Sequence, residues 1–320
     1  MVGQKVDAVI ERVVDGDTVR VLISGKSISL RLQCLDTEES QAGGGKPVTP
    51  WGKKTSDYAK TVLLAGATVT ILLESAAPLF GADGRVAVDH LDNFNRLLGF
   101  LMLADVIADG GDPTIDYQEL MIRQGYSPYF VKYGRVPFAD LDERYAAAER
   151  QAQSGDLGLW NQLAVNGAVA RDYALLGVWW ELRALLIDGF RHARELDISG
   201  KLLNSRLDYA TLLARASAQE TVTVFLELRE LQPVGRHALI DTGSLAQPFK
   251  VFIPDADSLD KEPLRRLLAN RYLGADETRP ARNYAYVTGP LQLFNDRPEI
   301  MLTDIAQLSD HPPMPASGPI

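Results

Sequence analysis

The chain has a single cysteine, Cys34, so no intramolecular disulfide can staple it, which fits a reducing compartment. Because Cys34 alternates with Leu30 and Leu32, it reads as a buried strand residue and not as a reactive thiol. Histidine is almost as scarce. The four present, His90, His192, His237 and His311, show no ligand spacing, which excludes a histidine-built zinc site. No apolar run of about eighteen residues occurs, so neither a transmembrane helix nor a membrane partner is expected. An excess of basic residues is also lacking: 33 Lys and Arg stand against 42 Asp and Glu, for a formal charge of −9. Residues 1–165 alone carry sixteen basic against twenty-two acidic side chains. That balance excludes coating of duplex nucleic acid by bulk electrostatics, and any such binding must be local. The opening MVGQKVDAVIERVV passes directly into strand alternation with no charged-then-apolar leader. The expectation is a cytoplasmic protein, or a secreted or periplasmic one if a leader has been removed.

What the sequence does have is concentrated between Val13 and Glu39, VVDGDTVRVLISGKSISLRLQCLDTEE. Val19 to Ile23 reads as a strand, Ser24-Gly25-Lys26 as a tight turn, and Ser27 to Leu35 as a second strand. Counting back from the turn places Asp17 near the level of Gln33 and Cys34, with Arg31 two or three residues down the partner strand. Asp36 follows the strand end and Glu39 lies on the loop behind it. Asp17 and Asp36 can therefore face one point in space, an expensive arrangement unless a cation sits between them. Asp15, beside them, reads as a turn former.

The motif D-G-D-T, an arginine fourteen residues after its second Asp, and D-T-x-E five residues after that arginine resemble the staphylococcal nuclease (thermonuclease) family. Here the set is Asp17, Arg31, Asp36, Thr37 and Glu39, without insertion. Further along, DNFNRLLGFLML is similar to the segment that carries the family's second catalytic arginine, which points to Arg96 rather than Arg85. Asn95 stands where that family usually has glycine, and Phe94 where a tyrosine is frequent. MIRQG resembles the family's next helix end, and YSPYFVKYG supplies aromatics where the family stacks a base. An AE-x-x-A helix followed by Gly158-Leu159-Trp160 is similar to its last helix. The resemblance covers roughly residues 5–162 and implies a five-stranded OB barrel with helices packed against it.

Between these motifs lie two other features. SQAGGGKPVTPWG is a Gly- and Pro-rich loop whose Lys46 is followed by Pro47, not by the Ser or Thr a phosphate loop needs. Helices are expected over 52–65, 116–124 and 139–153, with strands over Ala67 to Glu74 and Leu97 to Leu103. Beyond residue 165 the pattern turns helical. DYALLGVWWELRALLIDGFRHARELD places Val178, Leu182, Leu185, Leu186 and Phe190 on one face. After the break at KLLN comes a second helix, SRLDYATLLARASA. Of the adjacent Trp179 and Trp180, at least one must pack, since neighbouring helical positions point about 100° apart. Strands return over 220–308, with a helix between the third and fourth, which fits a second OB barrel whose closing hairpin, VTGPLQLFNDRPEIMLTD, resembles those of single-strand-binding modules.

The predicted fold is therefore mainly β with α: two OB-fold barrels joined by a helical segment. The expected domains are residues 1–165 (nuclease-like), 166–218 (helical platform), 219–310 (second barrel) and 311–320 (Pro-rich tail). The resemblance implies a phosphodiester hydrolase acting on DNA or RNA, single strands favoured, and leaving 3′-phosphate ends. Its metal would be Ca²⁺, or else Mg²⁺ or Mn²⁺, held by Asp17, Asp36 and the Thr37 carbonyl. Glu39 would activate water, while Arg31 and Arg96 would grip the phosphate. Phe94, Tyr129, Lys132 and Tyr133 are the candidate nucleic-acid contacts. The rival readings are a noncatalytic single-strand-binding protein built on the same barrel and a Ca²⁺-stabilised structural module.

Overall fold

The computed structural model describes residues 3–42, 47–103, 116–161, 163, 165–197, 200–273 and 281–313. The glycine-lysine run at 43–46 and the Pro-rich tail beyond 313 lie outside the described residues. The chain divides into two compact units, one formed by Met1–Val131 and Arg135–Gly177, the other by Lys132–Gly134 and Val178–Ile320.

In the first unit, β1 (Gln4–Asp15), β2 (Thr18–Ile23), β3 (Lys26–Leu32), β4 (Thr68–Leu73) and β5 (Leu97–Met102) close into a barrel in the order β1-β2-β3-β5-β4. Strand alternation turns one set of side chains inward. Val19, Val21, Ile23, Leu30, Leu32, Val69, Ile71, Leu73, Leu97 and Leu101 are each 3 % exposed or less. Closure rests on β1, whose first half pairs with β4 and whose second half pairs with β2. Register shifts between Ile10 and Arg12 and between Val13 and Asp15 bend it around. The outside of the barrel carries α1 (Pro50–Val62), α2 (Tyr117–Arg123) and α3 (Ala139–Ser154). Thr49 caps α1 by accepting the Gly52 N–H at 3.0 Å, with Pro50 at the first helical position. On α3 the residues Leu141, Tyr145, Ala148 and Ala152 form the buried stripe, and Tyr145 and Phe138 pack around Phe100 of β5.

The second strand of the hairpin ends earlier than its alternation suggests. β3 stops at Leu32, and Gln33 and Cys34 form a turn in which Cys34 has φ +61° and is half-buried. Its carbonyl accepts the Phe130 N–H at 2.9 Å, so the residue is a corner and not a strand position.

Helix α4 (Tyr173–Glu195) forms as expected, but of the expected face only Phe190, with Leu186 packed beside its cluster, is turned inward. Val178, Leu182 and Leu185 are 69 %, 36 % and 56 % exposed, whereas Tyr173, Leu176, Trp180, Arg183, Ala184, Ile187 and Phe190 are buried. The buried stripe is mixed in polarity because the Arg183 guanidinium has partners: it donates to the Ala281 carbonyl at 3.0 Å and to Asn283. A count of apolar residues alone therefore favours the wrong side.

The second unit holds β6 (Leu202–Asn204), α5 (Tyr209–Ser217), β7 (Thr221–Glu227), β8 (Leu231–Val234), β9 (His237–Asp241), β10 (Lys250–Ile253), α6 (Glu262–Leu267), β11 (Tyr284–Phe294) and β12 (Arg297–Met301). The KLLN segment, expected as a break, is the short strand β6, paired in parallel with β7. Among the described residues the sheet runs β6-β7-β11-β12-β10-β9-β8 and does not close, so it does not show the expected second barrel. The reason is local: the chain leaves the ladder at 228–230, and β6 occupies the free edge of β7. One hydrophobic core of this unit includes Leu226, Leu228, Ile240, Phe249, Val251, Val287 and Ile300. A separate aromatic cluster packs Phe225 against Phe190 of α4, with ring centres 4.7 Å apart, and against Tyr284 and Tyr286. Among the described residues no helix is long and apolar enough to cross a membrane.

Candidate active site

The hairpin pairs Thr18 with Arg31, and the Leu32 N–H donates to the Asp17 carbonyl at 2.9 Å. Asp17 therefore stands level with Leu32, one rung nearer the turn than the rung count placed it. From this position Arg31 reaches both carboxylates at once: Nη1 is 2.9 Å from Asp17 Oδ2 and Nη2 is 3.3 Å from Asp36 Oδ1. Thr37 completes the cluster, its N–H and hydroxyl donating to Asp17 Oδ2 at 3.0 and 3.2 Å. Asp17, Asp36 and Thr37 are all buried, so the ion pairs are largely shielded from water and removing Arg31 would take from Asp17 the guanidinium that balances it.

Several backbone contacts hold this corner in place. Ser127 Oγ accepts the Asp36 N–H at 3.0 Å, and the buried Tyr117 hydroxyl donates to the Gly16 carbonyl at 2.9 Å. Burial pushes the Tyr117 phenol well above its ordinary range, so it stays a donor. Gly16 lacks a side chain because Thr55 Cγ2 and Thr37 Cγ2 lie 2.6 and 2.8 Å from where its Cβ would be. Asp15 accepts the N–H groups of Gly16 and Ser40 at 2.8 and 3.3 Å, which ties the turn to the following loop. Burial and then the charge of Asp17 raise its carboxyl above the usual range.

Glu39 is half-buried, and its main chain is fixed on both sides. It bridges to Val48, its carbonyl accepts the Thr49 N–H at 3.1 Å, and Gly52 lies so close that a Cβ there would overlap that carbonyl. Arg96 immediately precedes β5, the strand whose Leu98 pairs with Arg31 across the parallel ladder. Asp92 holds Arg96, Oδ2 accepting from Nε and from Nη2 at 2.7 Å each. The residue before it, Asn95, has φ +60°, the left-handed conformation for which glycine or asparagine is suited. That accounts for asparagine standing where the family pattern has glycine.

The candidate nucleic-acid contacts separate. Phe94 is 73 % exposed with the Arg96 guanidinium 5.4 Å from its ring, and Tyr133 is 58 % exposed with Lys132 Nζ 5.3 Å away. Tyr129 is not such a contact. It is 6 % exposed, its hydroxyl donates to Asp142 at 2.6 Å and accepts from the Val136 N–H, and its ring meets Tyr145 edge-on, so no base can stack there.

Three residues absent from the sequence reading belong to the cluster. Glu38, 2 % exposed, accepts from the Ala170 N–H at 3.0 Å, Arg171 Nε at 3.1 Å and the Tyr173 hydroxyl at 2.6 Å. Arg171 also pairs through Nη1 with Asp36 Oδ2 and donates from Nη2 to the Thr37 carbonyl at 3.0 Å and to the Tyr173 hydroxyl at 2.6 Å. Glu38 was visible only as the x of D-T-x-E. Arg171 and Tyr173 lie about 130 residues downstream, outside any motif, and carried no signal.

Among the described residues no group of three or more His, Cys, Asp or Glu is placed to hold a metal ion. The donor set itself, two carboxylates and a backbone carbonyl, suits a hard divalent cation. Asp36 Oδ2 and the Thr37 carbonyl are held by Arg171, so those donors fit an ion only once that guanidinium has moved.

Residues 29–162 match the family model described as staphylococcal nuclease homologue. The chain is similar to an uncharacterized protein of Methanocaldococcus jannaschii, MJ1439, at 26 % identity over 47 % of this chain and 69 % of that protein. It is 28 % identical to the endonuclease YhcR of Bacillus subtilis over 49 % of this chain, a match spanning only 11 % of that relative. It is 26 % identical to the thermonuclease of Staphylococcus hyicus over 47 % of this chain and 73 % of that enzyme. With Asp17 drawn to Arg31, Asp36 and Thr37 at that family's spacing, residues 29–162 of this chain form a staphylococcal nuclease-homologue domain.

Proposed function

We propose that this domain is a metal-dependent nuclease that hydrolyses phosphodiester bonds of DNA or RNA, prefers single strands and leaves 3′-phosphate ends. The observation that carries the reading is Arg31 drawing Asp17 and Asp36 to one point, 2.9 and 3.3 Å away. Two relatives named endonuclease and thermonuclease support it.

Asp17, Asp36 and the Thr37 carbonyl would hold Ca²⁺, Mg²⁺ or Mn²⁺, which when bound supplies Lewis-acid polarisation of the phosphate. Arg31 binds one equatorial phosphate oxygen from its place between the carboxylates. Arg96, at the entry to the strand that pairs with Arg31, binds a second, and both grips strengthen as charge develops on phosphorus. Glu39 orients the attacking water and takes its proton. Its clamped main chain favours this role, since a base must be held within hydrogen-bond reach of the water. Breaking the P–O5′ bond then leaves the 3′-phosphate.

Single-strand preference follows from charge and shape. An acidic chain cannot hold a duplex by general attraction, whereas the exposed Phe94 and Tyr133, each beside a cation, offer stacking faces worth about 1–3 kcal/mol per base. In the second unit the order β7-β11-β12-β10-β9-β8 repeats the order of the first barrel with its first strand split, and we read it as an opened OB fold that contributes single-strand binding.

End-labelled single-stranded and duplex DNA and RNA, incubated with Ca²⁺, Mg²⁺ or EDTA, test this. The expected result is metal-dependent cleavage, faster on single strands, with products that require phosphatase treatment before 3′ extension. A noncatalytic binder, the rival that the Arg171 contacts favour, would bind single strands and cleave nothing under any metal.

A further inference from the structure

The oxygens suited to a divalent ion already have a cation of the protein's own. Arg171 comes from the segment that follows the family-matched residues, and that segment is pinned to the site. The Trp51 N–H donates to the Ala168 carbonyl at 3.0 Å, and the Ala170 N–H donates to Glu38 Oε2 at 3.0 Å. The guanidinium then uses its whole donor fork: Nη1 on Asp36 Oδ2, Nε on Glu38 Oε1, and Nη2 on the Thr37 carbonyl and the Tyr173 hydroxyl. The Tyr173 ring centre lies 4.9 Å from it. Its side chain is 6 % exposed, against 8 % for Asp36 and 2 % for Glu38.

Charge explains why it is there. Asp17, Asp36 and Glu38 bring three carboxylates into one buried corner, and Arg31 alone cannot balance them. A guanidinium and a divalent ion are alternative solutions to that excess, and an ion held in this corner would draw on Asp36 and the Thr37 carbonyl, the acceptors Arg171 engages. A second cation brought to those acceptors would meet the guanidinium's own charge. An open cavity of about 280 Å³, lined by Leu159, Val165, Val169, Ala170, Asp172 and Tyr173, adjoins Arg171 and gives a displaced side chain somewhere to turn.

We propose that Arg171 is an intrachain competitor for the cation site: the ion binds only when Arg171 lets go, so this residue sets the affinity of the domain for its metal. The inference rests on the nuclease reading for the identity of the ion, but it concerns binding and is tested apart from catalysis. By the reciprocity of linked equilibria, what Arg171 takes from ion affinity the ion must take from Arg171 engagement.

The test is calorimetric titration of the full chain with Ca²⁺ alone, for the native protein, Arg171→Ala and Arg171→Lys, with a thermal melt in EDTA to establish that each is folded. Arg171→Ala should bind Ca²⁺ at least about tenfold tighter, within the roughly 5- to 150-fold usual for coupled sites. Arg171→Lys should fall between, because an ammonium cannot hold both oxygens in a fork. In the native protein, Ca²⁺ should speed tryptic cleavage after Arg171, which is shielded while the contacts hold. Equal or weaker Ca²⁺ binding by Arg171→Ala overturns the proposal. If Arg171→Ala fails to fold, folded Arg171→Lys binding Ca²⁺ no tighter than native overturns it equally. Ca²⁺-dependent cleavage by the native chain with unchanged affinities in the variants removes this inference and leaves the nuclease reading standing. Absence of both Ca²⁺ binding and cleavage in every form removes both.

Discussion

In the first unit one strand serves two edges of its sheet, while in the second the same position in the strand order is shared by two strands. β1 runs for 12 residues and pairs with β4 along one half and β2 along the other. Its counterpart is divided into β7 and β8, with Leu228, Arg229 and Glu230 between them. Leu228 stays in the core and is stitched to Asn283, which receives its N–H at 2.6 Å and donates Nδ2–H to its carbonyl at 3.0 Å. Bulges let a strand turn a corner without leaving its ladder, whereas a side-chain staple holds a corner after the ladder has been left. The difference matters for function. The closed barrel ends β1 in the Asp15-Gly16-Asp17 turn, and β2, which leaves that turn, is laddered to β1 on one side and to β3 on the other, the rigidity that a cluster of opposed charges requires.

One substitution in each unit tests that contrast. Gly52 in the first unit presses on the Glu39 carbonyl, and Gly52→Ala should destabilise that unit by about 1–3 kcal/mol, read from urea unfolding, while lowering cleavage because Glu39 is displaced. Asn283→Ala in the second unit removes the staple and leaves the Leu228 carbonyl without that donor, at a cost of about 1–2 kcal/mol. It should loosen the β7–β8 corner in hydrogen exchange and leave cleavage intact. If Asn283→Ala abolished cleavage, the separation of roles between the units would be wrong.

A smaller effect sharpens the comparison through pH. Asp116 caps α2, accepting the Glu119 N–H at 2.7 Å, and burial raises its carboxyl to about 6. The native state therefore keeps a proton that the unfolded chain has lost, and this group's contribution to stability falls as pH rises from about 4 to about 6. Asp116→Asn should flatten that part of the melting-temperature profile. An unchanged slope would show that the Asp116 carboxylate is ionised in the native protein.

How far the sequence reached depended on whether the determinant was local. The hairpin, the helices and the pairing of Asp17 with Asp36 followed from alternation, caps and spacing, all short-range signals. Three things did not. The buried face of α4 was misread because Arg183 lies on it, and a count of apolar residues cannot foresee that Ala281 and Asn283 will satisfy a guanidinium. The open second sheet turned on β6, three residues that read as a break. Arg171 was invisible because its meaning comes from the carboxylates it meets, more than 130 positions earlier. Tyr129 failed in the opposite way: its setting in an aromatic-basic run suggested exposure, and its hydroxyl partners buried it.

We propose the Asp17–Arg31–Asp36 cluster with Glu39 as a nuclease active site. It is tested most directly by cleavage of end-labelled single-stranded DNA in Ca²⁺ by the native chain, Arg31→Ala and Glu39→Gln, each shown to be folded under the assay conditions. Cleavage by the native chain is expected, with a loss of about 10²–10³-fold in each variant and single-strand binding retained by Glu39→Gln. Undiminished cleavage by Arg31→Ala, or no cleavage by the native chain in any divalent ion, would contradict it.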